Sequence, residues 1–219
     1  MQIGLIGLGK MGYNLALNLK NKNHEVIAFD INKVAMAKIA ARGVKTAPTI
    51  CDLLNALNGR RIIWIMVPAG NTVDVIISNL KNHLKKNDIV IDGGNSHFKD
   101  TITRARDLRR RGVHFLDCGT SGGAEGALHG ISAMVGGKKE IFDYCEPVFK
   151  SISVPDGYLH CGETGSGHFT KMAHSGIQYG MMQSVTQGIE VLHNYCDETR
   201  FAKAAHIWSQ GSVMRSWLN

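Results

Sequence analysis

Three glycines, Gly7, Gly9 and Gly12, stand as Gly-x-Gly-x-x-Gly between an apolar, β-prone run from Gln2 to Gly7 and a helical pattern over Asn14 to Lys20. A strand that turns this tightly into a helix needs residues without a Cβ, to close the turn and to let backbone amides approach an anion at the helix N-terminus. The spacing alone is common. Its place between strand and helix makes it a dinucleotide-binding turn of the Rossmann type. Leu8, Lys10 and Met11 fill the turn and are expected to line the cofactor beside the glycines. Asp30 ends the next β-prone run, His24 to Asp30, about 20 residues further on, the position from which a carboxylate accepts an adenosine ribose. Its charge repels a 2′-phosphate and favours NAD, whereas Asn32 and Lys33 directly after it leave NADP open.

The alternation continues. A helical pattern over Lys33 to Ala41 leads to short β-prone runs at Val44 to Thr46, Ile62 to Val67, Ile89 to Asp92, His114 to Cys118 and Ile131 to Val135. Strands alternating with helices imply an α/β fold, a mostly parallel, doubly wound sheet. Two loops that follow these strands, Val67-Pro68-Ala69-Gly70 and Asp92-Gly93-Gly94-Asn95-Ser96, are expected to wall a nicotinamide pocket, because open α/β sheets bind ligands at the carboxyl ends of their strands. From about Gly165 the pattern changes: Phe169, Met172, Ile177, Met181, Met182, Val185, Ile189 and Leu192 recur in a stretch free of proline, which predicts one long helix. A second helix is expected from Thr199 to Leu218, still apolar at Trp217 and without a capping glycine. The expected division is a dinucleotide-binding domain over 1–164 and the start of an all-helical, apparently incomplete C-terminal domain over 165–219.

Twenty-five Lys and Arg against 18 Asp and Glu give a formal charge of +7, which suits dinucleotides and phosphorylated sugars as well as nucleic acid. The densest basic run, Arg104, Arg106, Arg109, Arg110 and Arg111, is expected on the solvated face of an amphipathic helix. No aromatic interleaving or nucleic-acid motif accompanies it, so no nucleic-acid partner is expected. The cysteines Cys51, Cys118, Cys145, Cys161 and Cys196 are scattered and form no Cys-x-x-Cys pair, which predicts reduced thiols and no metal. No run approaches the roughly 18 apolar residues of a membrane span, and residues 1–8 lack a basic leader, so a soluble, cytoplasmic protein is expected.

Four segments together resemble a known family: Gly-Leu-Gly-Lys-Met-Gly at 7–12, Ile-Asp-Gly-Gly-Asn-Ser at 91–96, Gly-Thr-Ser-Gly-Gly at 119–123, and Gly-His-Phe-Thr-Lys-Met-Ala-His-Ser-Gly-Ile-Gln-Tyr-Gly at 167–180. Over essentially the whole chain they resemble the decarboxylating 6-phosphogluconate dehydrogenases of the β-hydroxyacid dehydrogenase superfamily. The first three motifs are shared loosely with hydroxyisobutyrate-type relatives, and His-Phe-x-Lys-Met-x-His is similar only to the phosphogluconate branch. The residues support this helix independently. Lys171, His174, Ser175 and Gln178 fall at i, i+3, i+4 and i+7 and share one face, and a lysine facing an enclosed crevice loses solvation, which lowers its pKa and suits it to act as a base.

The resemblance implies that Lys171 takes the proton of the substrate 3-hydroxyl while hydride leaves C3 for the nicotinamide. Carbon dioxide is then lost, and an enediol is protonated at C1 to give ribulose 5-phosphate, a step of the pentose phosphate pathway. It also implies Ser121, Gly122 and Gly123 around the substrate carboxylate, Asn95 and His174 on its hydroxyls, and Tyr179 and Arg215 on its phosphate. Two residues depart from the family pattern: Ser175 stands where asparagine is expected, and Gln178 where the proton-donating glutamate is expected. An amide keeps the hydrogen-bond geometry but cannot donate a proton reversibly. Family members also continue beyond the position of Asn219, so a fragment or a shortened form is open, and an exposed apolar helix face would call for a homodimer or higher oligomer. Two further readings stay open: a catalytically inactive dinucleotide-binding protein, and a related dehydrogenase of a non-phosphorylated β-hydroxyacid.

Overall fold

The computed structural model describes residues 1–195 and 197–214. The chain opens with β1 (Gln2–Ile6), α1 (Lys10–Asn21), β2 (Glu25–Phe29), α2 (Lys33–Ala41), β3 (Lys45–Thr46) and α3 (Ile50–Asn55). It continues with β4 (Ile62–Ile65), α4 (Asn71–Lys81), β5 (Ile89–Asp92), α5 (Phe98–Arg109), β6 (His114–Ser121) and α6 (Gly123–His129). Then come β7 (Ile131–Gly137), α7 (Lys139–Ile152), β8 (Ser153–Gly162), α8 (Ser166–Tyr195) and α9 (Glu198–Gly211). The eight strands form one sheet in the order β3-β2-β1-β4-β5-β6-β7-β8. Every neighbouring pair is parallel except β6 with β7, so the last two strands run against the other six. This is the expected doubly wound, Rossmann-type sheet.

The central strands are apolar at nearly every position because both faces of the sheet are covered. Successive side chains alternate between the faces: Ile62 and Trp64 join the core under α1 and α7, and Ile63 and Ile65 join the core under α3, α4 and α5. Trp64 is fully buried against Phe149 of α7, with ring centroids 5.7 Å apart. Between the outer segments, Arg61 and Asp88 form a buried ion pair, and the Arg61 guanidinium also donates to the His83 carbonyl.

Two compact units are distinguished, Met1–Met172 and Ala173–Asn219, and α8 begins in the first and ends in the second. The first contains the sheet and both cores. In the second, no described residue is buried, and Ile177, Met181, Met182 and Val191 are exposed.

Some expectations shift. α1 begins at Lys10, so Lys10, Met11 and Gly12 form its first turn. β8 was not signalled by the sequence: Pro155, Asp156 and Gly157 interrupt it, Asp156 has φ 57°, and its pairing with β7 slips register. An edge strand tolerates these breaks because one side makes no ladder. Arg104 is a correction. The Arg-rich segment is helical, as α5, but Arg104 turns inward and is buried, because Asp74 and Asp92 neutralise it there. The second terminal helix is α9, and Arg215, Trp217 and Leu218 lie outside the described residues.

Candidate active site

The glycine turn is enforced by close backbone approach. Gly7 has φ +103°, and a Cβ on it would meet the Met66 carbonyl oxygen at 2.3 Å; a Cβ on Gly12 would meet the Gly7 carbonyl oxygen at 2.0 Å. Around Gly9, by contrast, an added Cβ would find nothing within 4 Å. Gly9 caps α1 without a side-chain acceptor, so the first amides of the helix open onto that space, as a pyrophosphate requires.

Asp30 is tied to the same turn. One carboxylate oxygen accepts from the Leu8 amide at 2.5 Å and the other from the Asn32 amide at 2.7 Å. Each oxygen keeps a lone pair for a ribose hydroxyl. The Asn32 side-chain oxygen caps α2, accepting from the Val34 and Ala35 amides, while its Nδ2 group keeps its donors. Asn32 and Lys33 are both exposed and both open to a 2′-phosphate.

Two adjoining hollows meet at Gly9 and Lys10. One, about 360 Å³, reaches Asn14, Asn32 and Lys38; the other, about 250 Å³, lies between Met11, Gly12, Val67, Pro68 and Asn95. Ala69 is exposed and lines neither. Met66, Gly93, Gly94 and Thr120 also line the second hollow. Of these, Met66 and Thr120 were not singled out from the sequence, although each adjoins a motif that was. Thr120 fixes Asn95: its amide donates to Asn95 Oδ1 at 2.9 Å, and Asn95 Nδ2 donates to its carbonyl at 3.3 Å. Asn95 is thereby held at φ 55°.

Behind the loops runs a buried network. Asp92 accepts from the Gly94 amide at 3.0 Å and the Ser96 hydroxyl at 2.7 Å, and Arg104 donates to Ser96 Oγ at 3.0 Å. Arg104 also grips both oxygens of Asp74, at 2.7 and 3.0 Å, and the Gly70 carbonyl at 3.0 Å. One guanidinium therefore braces the loop after β4 and the loop after β5. It also holds the Asp74 carboxyl below the usual carboxylate range. No local pattern in the sequence marks this role, since Asp74 lies on a different helix.

α8 is anchored at its first turn. The buried Asp117 carboxylate on β6 accepts from the Gly165 amide at 2.6 Å and the His168 amide at 2.8 Å, and burial pushes its pKa up. Glycines let the helix sit close to the sheet: a Cβ on Gly167 would meet the Met134 carbonyl at 2.3 Å, and one on Gly119 would meet Lys171 Cβ at 2.4 Å. Lys171 is consequently half-buried, and its Nζ donates to Ser121 Oγ at 3.2 Å. Loss of solvation lowers its pKa. Ser121 ends β6, and Gly122 and Gly123, at φ +124° and +63°, turn the chain into α6.

The first unit thus brings together Gly7 to Gly12, Asp30, Val67, Pro68, Asn95, Ser121 and Lys171 along the carboxyl ends of the parallel strands. On the part of α8 in the second unit, His174 and Tyr179 are exposed and Ser175 and Gln178 are half-buried. Arg215 lies outside the described residues. Among the described residues, no group of three His, Cys, Asp or Glu is arranged to hold a metal, and no helix is long and apolar enough to cross a membrane.

A sequence model of the NAD binding domain of 6-phosphogluconate dehydrogenase matches residues 2–163. The chain is 45% identical over 218 residues to a putative 6-phosphogluconate dehydrogenase of Bacillus subtilis, covering 100% of this chain and 73% of that protein. It is 42% identical over 219 residues to the NAD(+)-dependent, decarboxylating 6-phosphogluconate dehydrogenase of Haloferax volcanii, covering 100% of this chain and 72% of that protein. The crystallised Plasmodium falciparum 6-phosphogluconate dehydrogenase superimposes with a TM-score of 0.84 at 32% identity, over 96% of this chain and 48% of that one. A glycine cradle shaped for a dinucleotide, a half-buried lysine beside it and these matches along the chain have one reading in common: the chain belongs to the 6-phosphogluconate dehydrogenase family.

Proposed function

We propose that this chain carries the oxidative decarboxylation of 6-phosphogluconate to ribulose 5-phosphate with NAD or NADP, NAD being favoured. The observation that carries the reading is Lys171: half-buried, its amine 3.2 Å from Ser121 Oγ, and its ammonium form disfavoured by desolvation. Desolvation moves this lysine toward the neutral form that a base in the first step needs.

The open space at Gly9 and the amides of α1 suit a pyrophosphate, and Asp30 suits the adenosine ribose. A bound nicotinamide supplies the hydride acceptor. Lys171 takes the proton of the 3-hydroxyl as hydride leaves C3, and Ser121, Gly122 and Gly123 orient the carboxylate that departs as carbon dioxide. Asn95 and His174 take the hydroxyls, with Ser175 alongside, and Tyr179 and Arg215 take the phosphate. Gln178 cannot act as the acid toward C1, so water or the Tyr179 hydroxyl delivers that proton. The NAD preference is supported by the Asp30 carboxylate, whose charge repels a 2′-phosphate. We further propose cytoplasmic action, supported by the unpaired Cys51, Cys118, Cys145 and Cys161, and self-association through the exposed apolar residues of the second unit.

A second reading, cofactor binding without turnover, is favoured by Gln178. Incubating the chain with 6-phosphogluconate and each cofactor, while following nicotinamide absorbance and released carbon dioxide, separates the two. Coupled reduction and carbon dioxide release establish the enzyme and name its cofactor. A burst of reduction and carbon dioxide release limited to about one equivalent per chain, with steady turnover restored by Gln178→Glu, identifies the missing acid as the lesion. Neither signal in either form overturns the enzyme reading.

A further inference from the structure

The crevice at the carboxyl ends of the strands does not account for a second gathering of basic residues in the first unit. At the opposite, amino-terminal ends of β5 and β6 lies a hollow of about 220 Å³. Four basic side chains reach it from four separate segments: Lys86 from the turn before β5, Arg109 from the end of α5, His114 from the start of β6, and Lys138 from the cap of α7. Lys86 and Arg109 take part in no ion pair among the described residues. Lys138 lies 3.7 Å from Glu140, an exposed carboxylate that offsets one of these charges. The floor is apolar, made by Val113, Phe115 and Ile141.

The positive charge around the hollow is offset only in part, by Glu140 beside Lys138. Desolvation, and then the charges of Arg60 and Lys138, lower the His114 pKa. The position of Lys86 is built in: Gly112, at φ +72°, turns beneath it, and a Cβ there would stand 3.0 Å from Lys86 Cγ. The Asn87 amide donates to the Gly112 carbonyl at 2.9 Å and closes the same turn. Lys86 and Arg109, without an ion pair among the described residues, and Lys138, offset by Glu140, stand around one apolar floor, and the repulsion left among them is a cost that an anion removes.

We propose that this hollow binds a phosphate monoester of a small organic molecule, with the phosphate between Lys86, Arg109 and Lys138 and the organic part on Phe115 and Ile141. A guanidinium fork and two ammonium groups match the oxygens of a phosphate dianion. Because the hollow and the dinucleotide crevice lie at opposite ends of the strands, both can be filled at once.

The test titrates the isotope-labelled chain with glycerol 3-phosphate and with inorganic phosphate at ionic strength matched by sodium chloride. The amide resonances of Asn87, Gly112 and His114 are followed beside those of Gly9 and Gly12. The expected result is saturable movement of the first group with half-saturation at about 1 mM, tighter for glycerol 3-phosphate than for phosphate, and about tenfold weaker in Lys86→Ala/Arg109→Ala. Both substituted residues are exposed, so the fold persists. Movement confined to Gly9 and Gly12, a response equal to that of chloride alone, or equal affinity in the double variant would overturn the proposal. Saturation by a short DNA duplex but not by glycerol 3-phosphate would overturn it as well.

Discussion

The two units of this chain spend their apolar residues in opposite ways. In the first, both faces of the sheet are sealed, and Trp64, Phe149, Leu53 and Ile63 are fully buried. In the second, no described residue is buried, and Ile177, Met182 and Val191 are exposed on α8. Helical periodicity therefore announces a helix in both, but only in the first does it also announce a core. A helix gains most of its stability from the face it buries. The first unit accordingly holds its own geometry, which is where the cofactor cradle and Lys171 are found.

The largest expected effect probes the chemistry of the sealed unit. Lys171→Met is expected to lower turnover about a hundredfold to ten-thousandfold while leaving cofactor affinity, read by fluorescence titration, within a factor of a few. A parallel loss of cofactor binding would mean that the lysine holds the fold of the crevice and does not act as the base. The same residue sets a pH dependence. In the proposed base role its neutral form reacts; burial lowers its pKa, so kcat should rise with pH through a midpoint below the ordinary lysine range, and this limb should vanish in the variant.

Next in size is the core itself. Trp64→Ala is expected to cost about 3–5 kcal/mol in chemical denaturation, because a fully buried ring against Phe149 is lost and the cavity cannot close. A smaller loss, below about 1 kcal/mol, would show that the sheet core repacks and would blur the contrast between the units.

Arg104→Met should follow, at about 2 kcal/mol, since it leaves the buried Asp92 carboxylate without its cation. Cofactor affinity should fall with it, as the loops after β4 and β5 lose their common brace. Asp74 adds a pH signature. Its folded pKa lies below the usual range, so its contribution is present above the unfolded carboxylate pKa and is lost as pH falls through the lowered value. The variant should lose that part of the acid limb.

The smallest effect is expected in the second unit. Ile177→Ser should change the stability of the isolated chain by no more than about 0.5 kcal/mol, as for any exposed position. A loss comparable with that of Trp64→Ala would reveal a core that the exposure of Ile177 does not suggest, and a concentration dependence of that loss would point to self-association.

Much of this was readable in advance. Apolar runs marked β1, β2, β4, β5 and the first part of β6, because strands covered on both faces carry little else, and the glycine spacing marked the turn because backbone contact forbids a Cβ at Gly7 and Gly12. Lys171 was legible from its polar neighbours on the helix. What escaped depends on distance along the chain. Arg104 looked like one more solvated cation because its partners, Asp74 and Asp92, belong to other elements. β8 was hidden by Pro155, Asp156 and Gly157, whose interruptions only an edge strand accommodates. Thr120 gains its role from Asn95, 25 residues earlier, and no local pattern joins the two.

The Arg104 brace also shapes how this crevice can diverge. Pro68 and Ala69 are exposed, and neither supplies a group to the network through Asp74, Asp92 and Ser96. A change at Pro68, which lines the crevice, can alter what it accepts without disturbing the frame that carries it. New specificities are thus open to the chain through single substitutions that leave its architecture in place, and variants selected for a different cofactor or substrate should gather at the loop tips and spare the brace.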